Sequence, residues 1–232
     1  MTEGHKVVYA LWRAEGESSG DFCKKLLVEA GPRLEAAGAA AVQVNVSDDA
    51  VSAATLRLTT FARPVDAVVS VWLPSRDVVA GVSAALSWSA EFAEGWFVEE
   101  QTPLPPPVVP VGERQSGFAN VAFLRRPEGL PYSSWLDLWK NHHTSVAIET
   151  QATFGYVQNR VVGPATEGAS AVHALVEELF PIEALTDMHA FYGTGGDSDE
   201  LARRLTAMLE SVTSFGADRD IDVVPTSRYR LV

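Results

Sequence analysis

A helix-forming segment in the second half of the chain carries two adjacent histidines, His142 and His143. Trp135, Trp139 and His142 recur at the spacing of an amphipathic helix, which places His142 near the centre of the buried stripe and His143 at its edge. An imidazole can take up and release a proton near neutral pH, so a ring that faces a cavity can act as a general acid or base. The alternative, that either ring simply packs in the core against a carbonyl, stays open.

Metal chemistry is not predicted for this pair. Neighbouring residues on a helix point about 100° apart, so two adjacent imidazoles do not readily chelate one ion. The remaining histidines, His5, His173 and His189, show no ligand spacing relative to each other or to the pair. We therefore expect no metal and no cofactor, although a haem held by His143 stays an open alternative.

Two nucleophile motifs have simpler explanations. Residues 16–20 match G-x-S-x-G, the nucleophile elbow of hydrolases, but only 17 residues precede Ser18. That is too short for the preceding strand and loop that supply the oxyanion hole, so we interpret Ser18 as a helix cap. The single cysteine, Cys23, lies in a predicted helix and is interpreted as a packing residue.

The charge of the chain argues against two classes of partner. Its 30 acidic and 18 basic residues give a formal net charge of -12. Such a surface repels phosphate backbones and anionic lipid heads, and no basic run exceeds the pairs at 125–126 and 203–204. Neither nucleic acid nor a membrane is an expected partner.

The sequence also suggests a cellular address. The most apolar long stretch, residues 78–98, is interrupted by Glu91 and Glu94, whereas about 20 uninterrupted apolar residues are needed to span a bilayer. Residues 1–6 contain no apolar segment behind a basic start, so no secretory signal is predicted. We expect a cytoplasmic protein.

The strands and helices that must position the histidines follow the same order in both halves of the chain. Alternating or β-branched runs predict strands at residues 6–13, 41–46, 65–73, 118–124, 155–162, 172–179 and 221–230, with a short edge strand at 107–111. Helical spacing and caps predict helices at residues 19–37, 75–97, 133–149, 182–191 and 200–212. Each half then has the βαββαβ order of a ferredoxin-like unit, whose bare sheet face must be buried.

The predicted fold class is therefore α+β, with tandem duplicated ferredoxin-like halves that close on each other as one barrel within the chain. We place the N-terminal half, which has no site histidine, at residues 1–102 and the C-terminal half at residues 117–232. Residues 103–116, which begin with a proline-rich run, connect them, because proline fixes φ and lacks an N–H and so cannot continue a helix.

Three segments of the second half resemble the EthD family, part of the dimeric α/β-barrel superfamily. They are the strand end at residues 123–127, the helix at 139–147 and the strand at 156–160, with the sequence Tyr-Val-Gln-Asn-Arg. The family pattern is a tryptophan and, four residues later, a histidine, followed by a tyrosine-x-glutamine-asparagine-arginine strand. Trp139 and His143 occupy those positions, and the match extends over about residues 117–230. His142 stands where the family usually has an apolar residue.

The resemblance implies a cavity between the sheet and the helices, homodimers as a common state, and oxidative degradation of small organic molecules. Related branches include polyketide cyclases, cofactor-free monooxygenases, lactone isomerases and haem-dependent peroxidases. The expected function is therefore the binding and cofactor-independent transformation of a small apolar, aromatic or polyketide-like molecule, with His143 as general acid or base. The predicted substrate-binding residues are Trp139, His142, Phe123, Tyr156 and Asn159. The alternative is an accessory protein that binds such a molecule without transforming it.

Overall fold

The computed structural model describes residues 5–232; the N-terminal signal prediction therefore rests largely on residues outside the described range. Within that range the strands are β1 (His5–Trp12), β2 (Ala41–Val46), β3 (Ala67–Leu73), β4 (Phe92–Leu104), β5 (Phe118–Leu124), β6 (Gly155–Pro164), β7 (Ala174–Phe180) and β8 (Asp222–Arg230). The α-helices are α1 (Ser19–Ala36), α2 (Val79–Leu86), α3 (Tyr132–Asp137), α4 (Thr144–Thr150), α5 (Met188–Tyr192) and α6 (Ser198–Phe215). Short 3₁₀ turns lie at Asp49–Val51, Arg76–Val78 and Ile182–Leu185, and a π-helical segment at Leu138–His143 joins α3 to α4.

The strands form one closed antiparallel barrel in the order β1-β3-β2-β8-β5-β7-β6-β4. Each half contributes four neighbouring strands in the order fourth, first, third, second, which is the ferredoxin-like arrangement. The halves join where β2 pairs with β8 and where β4 pairs with β6. The predicted α+β fold, with two βαββαβ halves closing into a single intrachain barrel, is confirmed.

Alternation along the strands creates two apolar layers. On β1, Tyr9 and Leu11 belong to the same apolar cluster as Phe22 of α1, on the helix-covered side of the sheet. Ala10 and Trp12 point the opposite way and join an apolar cluster inside the barrel. Most strand residues are therefore buried, either under helices or in the barrel interior, whereas residues 99–103 of β4 are exposed.

One predicted helix is wrong over half of its length. Residues 75–97 were expected to form a single helix, but α2 ends at Leu86 and residues 92–104 form β4, the longest strand. The pattern there is that of a strand, since the buried Trp96 and Val98 alternate with the half-buried Phe97. The fourth strand of the first half is therefore β4 and not the edge strand expected at residues 107–111, where no strand forms.

The second half follows its prediction closely. The helix expected at residues 133–149 is present as α3, the π-helical segment and α4, and the strands fall within two residues of their predicted bounds. The helix expected at 182–191 is divided into a 3₁₀ turn and α5. No helix within residues 5–232 combines the length and the apolar character needed to cross a bilayer.

Candidate functional site

The π-helical segment Leu138–His143 sets which histidine is buried. A π-helical turn is wider than an α-helical one, so residues four apart, Trp139 and His143, both face inward, and both are buried. His142, predicted at the centre of the buried stripe, is instead exposed. That part of the prediction is wrong because it assumed 3.6 residues per turn through a segment that has more. Single π-helical turns within helices are frequently found at functional sites.

His143 is held by α6. Its Nδ1 lies 3.0 Å from the hydroxyl oxygen of Ser211, and its ring lies 4.8 Å from the ring of Phe215, centroid to centroid. Burial and, to a smaller extent, the nearby His142 lower the pKa of His143 to about 4. The imidazole is therefore neutral at physiological pH, with Nδ1 engaged by Ser211 and Nε2 left as the nitrogen that a ligand can reach.

A cavity of about 210 Å³ lies beside His143, between the sheet of the second half and its helices. Apolar side chains make up most of its wall, and they come from β5, β7, β8, α5, α6 and residues 56–58 of the first half. They include Leu56, Leu58, Ala122, Leu124, Val176, Phe191, Met208, Val212, Phe215 and Val223. A concave, mostly apolar space with a few polar groups is the usual form of a small-molecule site.

The floor of the cavity carries a row of polar side chains across three strands. Glu178 on β7 lies directly opposite Asn120 on β5 and Tyr156 on β6, and all three line the cavity. Directly opposed residues on neighbouring strands have Cβ atoms about 4.5–5.5 Å apart, so the three groups can contact one ligand together.

Glu178 is a perturbed acid. Burial raises the pKa of its carboxyl to about 7, and no hydrogen bond from a described residue offsets this effect. Its charge in turn helps to raise the pKa of Tyr156 well above the usual value and that of Tyr192 to about 12, with burial as the larger cause in both. The cavity thus contains one carboxyl that changes its charge near neutral pH.

The neighbouring Glu177 differs from Glu178, because its carboxylate has hydrogen-bond partners. Glu177 points into the barrel, where its carboxylate accepts hydrogen bonds from Gln43 at 3.0 Å and Asn45 at 2.8 Å and pairs with Arg228 at 3.2 Å. Glu178, one residue later and on the opposite face, has no such partners among the described residues. Glu178 is half-buried, and a largely desolvated carboxyl without hydrogen-bond partners is costly in a purely structural role.

Two amide oxygens at the cavity also have no partner within residues 5–232. Asn120 Oδ1 and Gln151 Oε1 are buried and accept no hydrogen bond, and both residues line the cavity. Native proteins leave few buried polar atoms unsatisfied, and such atoms call for a water or a ligand that donates to them.

The chain was compared with known proteins. An anthrone oxidase-like protein superposes with a TM-score of 0.61 at 10% identity, over 99% of this chain and 94% of that one. A chlorite dismutase variant from Candidatus Nitrospira defluvii gives a TM-score of 0.53 at 11% identity, over 99% and 93%. A candidate monooxygenase from Fusobacterium nucleatum subsp. nucleatum gives 0.52 at 8% identity, over 99% and 93%.

The chain has the dimeric α/β-barrel fold. The likeness extends over nearly the whole chain, so the barrel as a unit, and not one half of it, corresponds to these structures. No family model matches the sequence, and no curated protein matches it. At this level of identity the likeness concerns the fold alone.

The barrel places the six predicted site residues in different environments. His143, Trp139 and Tyr156 line the cavity together. Phe123 and Asn159 point to the other face of the sheet; Phe123 is part of the apolar cluster inside the barrel. They were chosen from their closeness to a motif, whereas the two-residue period of a strand decides which face a side chain occupies.

The prediction missed Glu178, Asn120, Gln151 and Ser211. The sequence does contain a signal for Glu178. Residues two apart on a strand face the same side, so Glu178 lies on the same face of β7 as Val176 and Phe180, which the predicted helices must cover. An acid on a helix-covered strand face is unusual enough to mark a site. Ser211 and Gln151 gave no such signal, because their proximity to His143 and to the cavity depends on how the helices pack.

The size of the cavity and its side chains decide whether it could hold a haem or a metal ion. The cavity of about 210 Å³ is smaller than the roughly 300–1,000 Å³ of typical ligand pockets, so a haem does not fit beside His143. Within residues 5–232 no three His, Cys, Asp or Glu residues cluster in a way that could hold a metal.

Outside the cavity, Ser18 caps α1 by accepting a hydrogen bond from the Asp21 N–H at 3.1 Å. Burial raises the pKa of the Cys23 thiol to about 12.

Proposed function

We propose that this protein binds a small, mostly apolar ring compound in the cavity beside His143 and transforms it without a cofactor. The observation that carries the proposal is the mostly apolar cavity with a neutral histidine in its wall. An engineered cavity of about 150 Å³ in another protein binds benzene, so about 210 Å³ suits one ring or two fused rings.

In this proposal His143 acts as the general acid or base. Its pKa near 4 keeps the ring neutral, so Nε2 can accept a proton from a bound molecule, while Ser211 fixes the ring through Nδ1. The imidazolium so formed is a strong acid in this buried site and returns the proton readily to the product. Trp139 and Tyr156 shape the walls around the reacting group.

The wider setting is proposed on the same basis. Membership of the EthD family, with residues 1–102 and 117–232 as the two halves and 103–116 as the connector, agrees with the buried position of His143 four residues after Trp139. An oxidative reaction agrees with the names of two structures of similar fold, an anthrone oxidase-like protein and a candidate monooxygenase. Phe123 and Asn159 stay predictions as substrate-binding residues, and so does a homodimer, whereas the exposed His142 does not line the cavity and has no part in this proposal.

A second function is favoured by one observation. A histidine with a pKa near 4 is a weak base, and general catalysis is most efficient when the pKa lies near the working pH. A protein that only binds the ring compound would show the same cavity.

Two probes separate these functions. Binding of 2-tetralone is followed by tryptophan fluorescence, and exchange of its acidic C–H hydrogens for deuterium is followed by NMR in D₂O. We expect His143→Gln to reduce the exchange rate by about 10²–10⁴-fold while changing the dissociation constant less than threefold. His142→Gln is the matched control, since His142 is exposed, and should exchange at the unaltered rate.

The outcomes differ for each hypothesis. Exchange that persists in His143→Gln contradicts the role of His143. Binding without any exchange by the unaltered protein supports the binding-only function. Failure of 2-tetralone and of 2-naphthol to bind at all would overturn both.

A further inference from the structure

The unpartnered polar row on the cavity floor points to the chemical class of the ligand. Asn120 is 3% exposed, its Oδ1 has no partner within residues 5–232, and it stands directly opposite Glu178. A ligand hydroxyl has one proton to donate to this floor, and the carboxylate of Glu178 is a stronger acceptor than the amide oxygen of Asn120. The apolar body of such a ligand would fill the space under the helices.

We propose that the ligand is a hydroxylated ring compound, of the phenol or naphthol type, whose hydroxyl donates to the Glu178 carboxylate and whose selection depends on that residue. The inference rests on the proposed function, because it assumes that the cavity is the binding site. It adds the substrate class and a specificity-determining residue.

The geometry restricts the other groups that could take this role. The titratable side chains facing Glu178 from the packed elements are Tyr156 on β6, Tyr192 on α5 and His143 on the π-helical segment. Both tyrosines stay protonated at neutral pH because their pKa values are raised, and His143 stays neutral because its pKa is lowered. The walls from α6 and β8 are apolar, and no lysine or arginine within residues 5–232 lines the cavity.

Selection should therefore follow the charge of one carboxyl. An ionised carboxylate only accepts hydrogen bonds, whereas a protonated carboxyl can also donate one. Above pH 7 the cavity should bind an aromatic compound with a hydroxyl group more tightly than the corresponding methyl ether, since the ether has no hydrogen-bond donor. Below pH 7 the protonated carboxyl can donate to the ether oxygen, and the preference weakens.

The test compares 2-naphthol with 2-methoxynaphthalene at pH 5.5 and pH 8.5, where the free naphthol is still mostly neutral. In the unaltered protein we expect 2-naphthol to bind at least tenfold more tightly than the ether at pH 8.5, and the ratio to fall severalfold at pH 5.5. Glu178→Gln, which has nearly the same shape and does not titrate, should give one ratio at both pH values.

Glu149→Gln is the matched control, because Glu149 is exposed on α4 and loses the same charge outside the cavity. It should keep the pH dependence of the unaltered protein. The melting temperature of Glu178→Gln shows independently whether the variant is folded. From pH 5.5 to pH 8.5, the melting temperature of the variant should fall less than that of the unaltered protein. The sign follows from the raised pKa: the folded state binds the proton more tightly, so its stability declines as the carboxyl ionises.

The ways to fail are distinct. If both compounds bind but their ratio is the same at the two pH values, or Glu178→Gln keeps the pH dependence, this inference is wrong and the proposed function survives. If neither compound binds the unaltered protein, the proposed function fails with it.

Discussion

The two halves of the barrel bury their sheets under helices in the same topology but with different chemistry. In the first half the helix-facing strand positions form a continuous apolar layer that includes Val44, Val69 and Val71, covered by the regular 18-residue helix α1. In the second half the equivalent layer contains Asn120, Glu178 and the cavity, and its covering helix is interrupted by a π-helical segment.

Tyr9 shows how the first half fills its interface. Its ring lies so close over Gly95 of β4 that a Cβ at Gly95 would stand 2.6 Å from it, and its hydroxyl lies 2.9 Å from the hydroxyl oxygen of Ser83 on α2. Its cross-strand neighbours are Val69 and Gly95, whereas those of Glu178 are Asn120 and Tyr156. The strand order allows a site in either half, and the side chains on the helix-facing positions decide where it forms.

The largest difference between the halves should appear in acid. Because the pKa of His143 falls from 6.5 to about 4 on folding, the folded state resists protonation, and stability is lost as the pH drops from about 6.5 to about 4. The loss amounts to about 3 kcal/mol. Denaturant unfolding at pH 7.5 and pH 4 should show a smaller acid loss for His143→Gln than for the unaltered protein. An equal acid loss in both would mean that the buried imidazole does not carry this penalty.

A matched pair of enlargements tests whether one interface is full and the other is not. Ala30 on α1 is fully buried in the apolar layer of the first half, while Ala122 on β5 lines the cavity. Ala30→Leu should destabilise by about 1–3 kcal/mol through overpacking. Ala122→Leu should cost less than about 1 kcal/mol, since the added methyl groups enter existing space, and it should abolish the binding of 2-naphthol. Equal costs for the two variants would contradict the difference in packing.

The sequence predicted the fold better than the site for a physical reason. Strand alternation, helix spacing and the proline-rich connector are local signals, and they were sufficient for the two-half barrel even though residues 92–97, the start of β4, were assigned to a helix. That error arose because the apolar stretch at residues 78–98 reads as one long helix until the alternation around Trp96 is considered. The predicted strand order was still right, because the prediction included a fourth strand for the first half but placed it at residues 107–111 and not at β4.

The site depended on features that local patterns do not contain. The spacing from Trp139 identifies His143, but the exposure of His142 follows from the π-helical segment, which local sequence patterns do not reveal. Glu178 becomes notable only when β7 is known to face the helices, and Asn120 only when β5 is known to pair with β7 in that register. Cross-strand register is a tertiary property, so this row could not be derived from spacing along the chain.

The smallest expected effect concerns Tyr9. Tyr9→Phe removes its hydrogen bond to Ser83 while leaving the ring over Gly95, and Ser83 is only half-buried, so its hydroxyl can turn to water. We expect a loss of about 1 kcal/mol of stability at every pH and no change in the binding of 2-naphthol. Tyr156→Phe, on the cavity floor, should instead change 2-naphthol binding. If Tyr9→Phe altered binding as much as Tyr156→Phe does, the first half would share in the site, and the division of the barrel into one packed interface and one chemical interface would not hold.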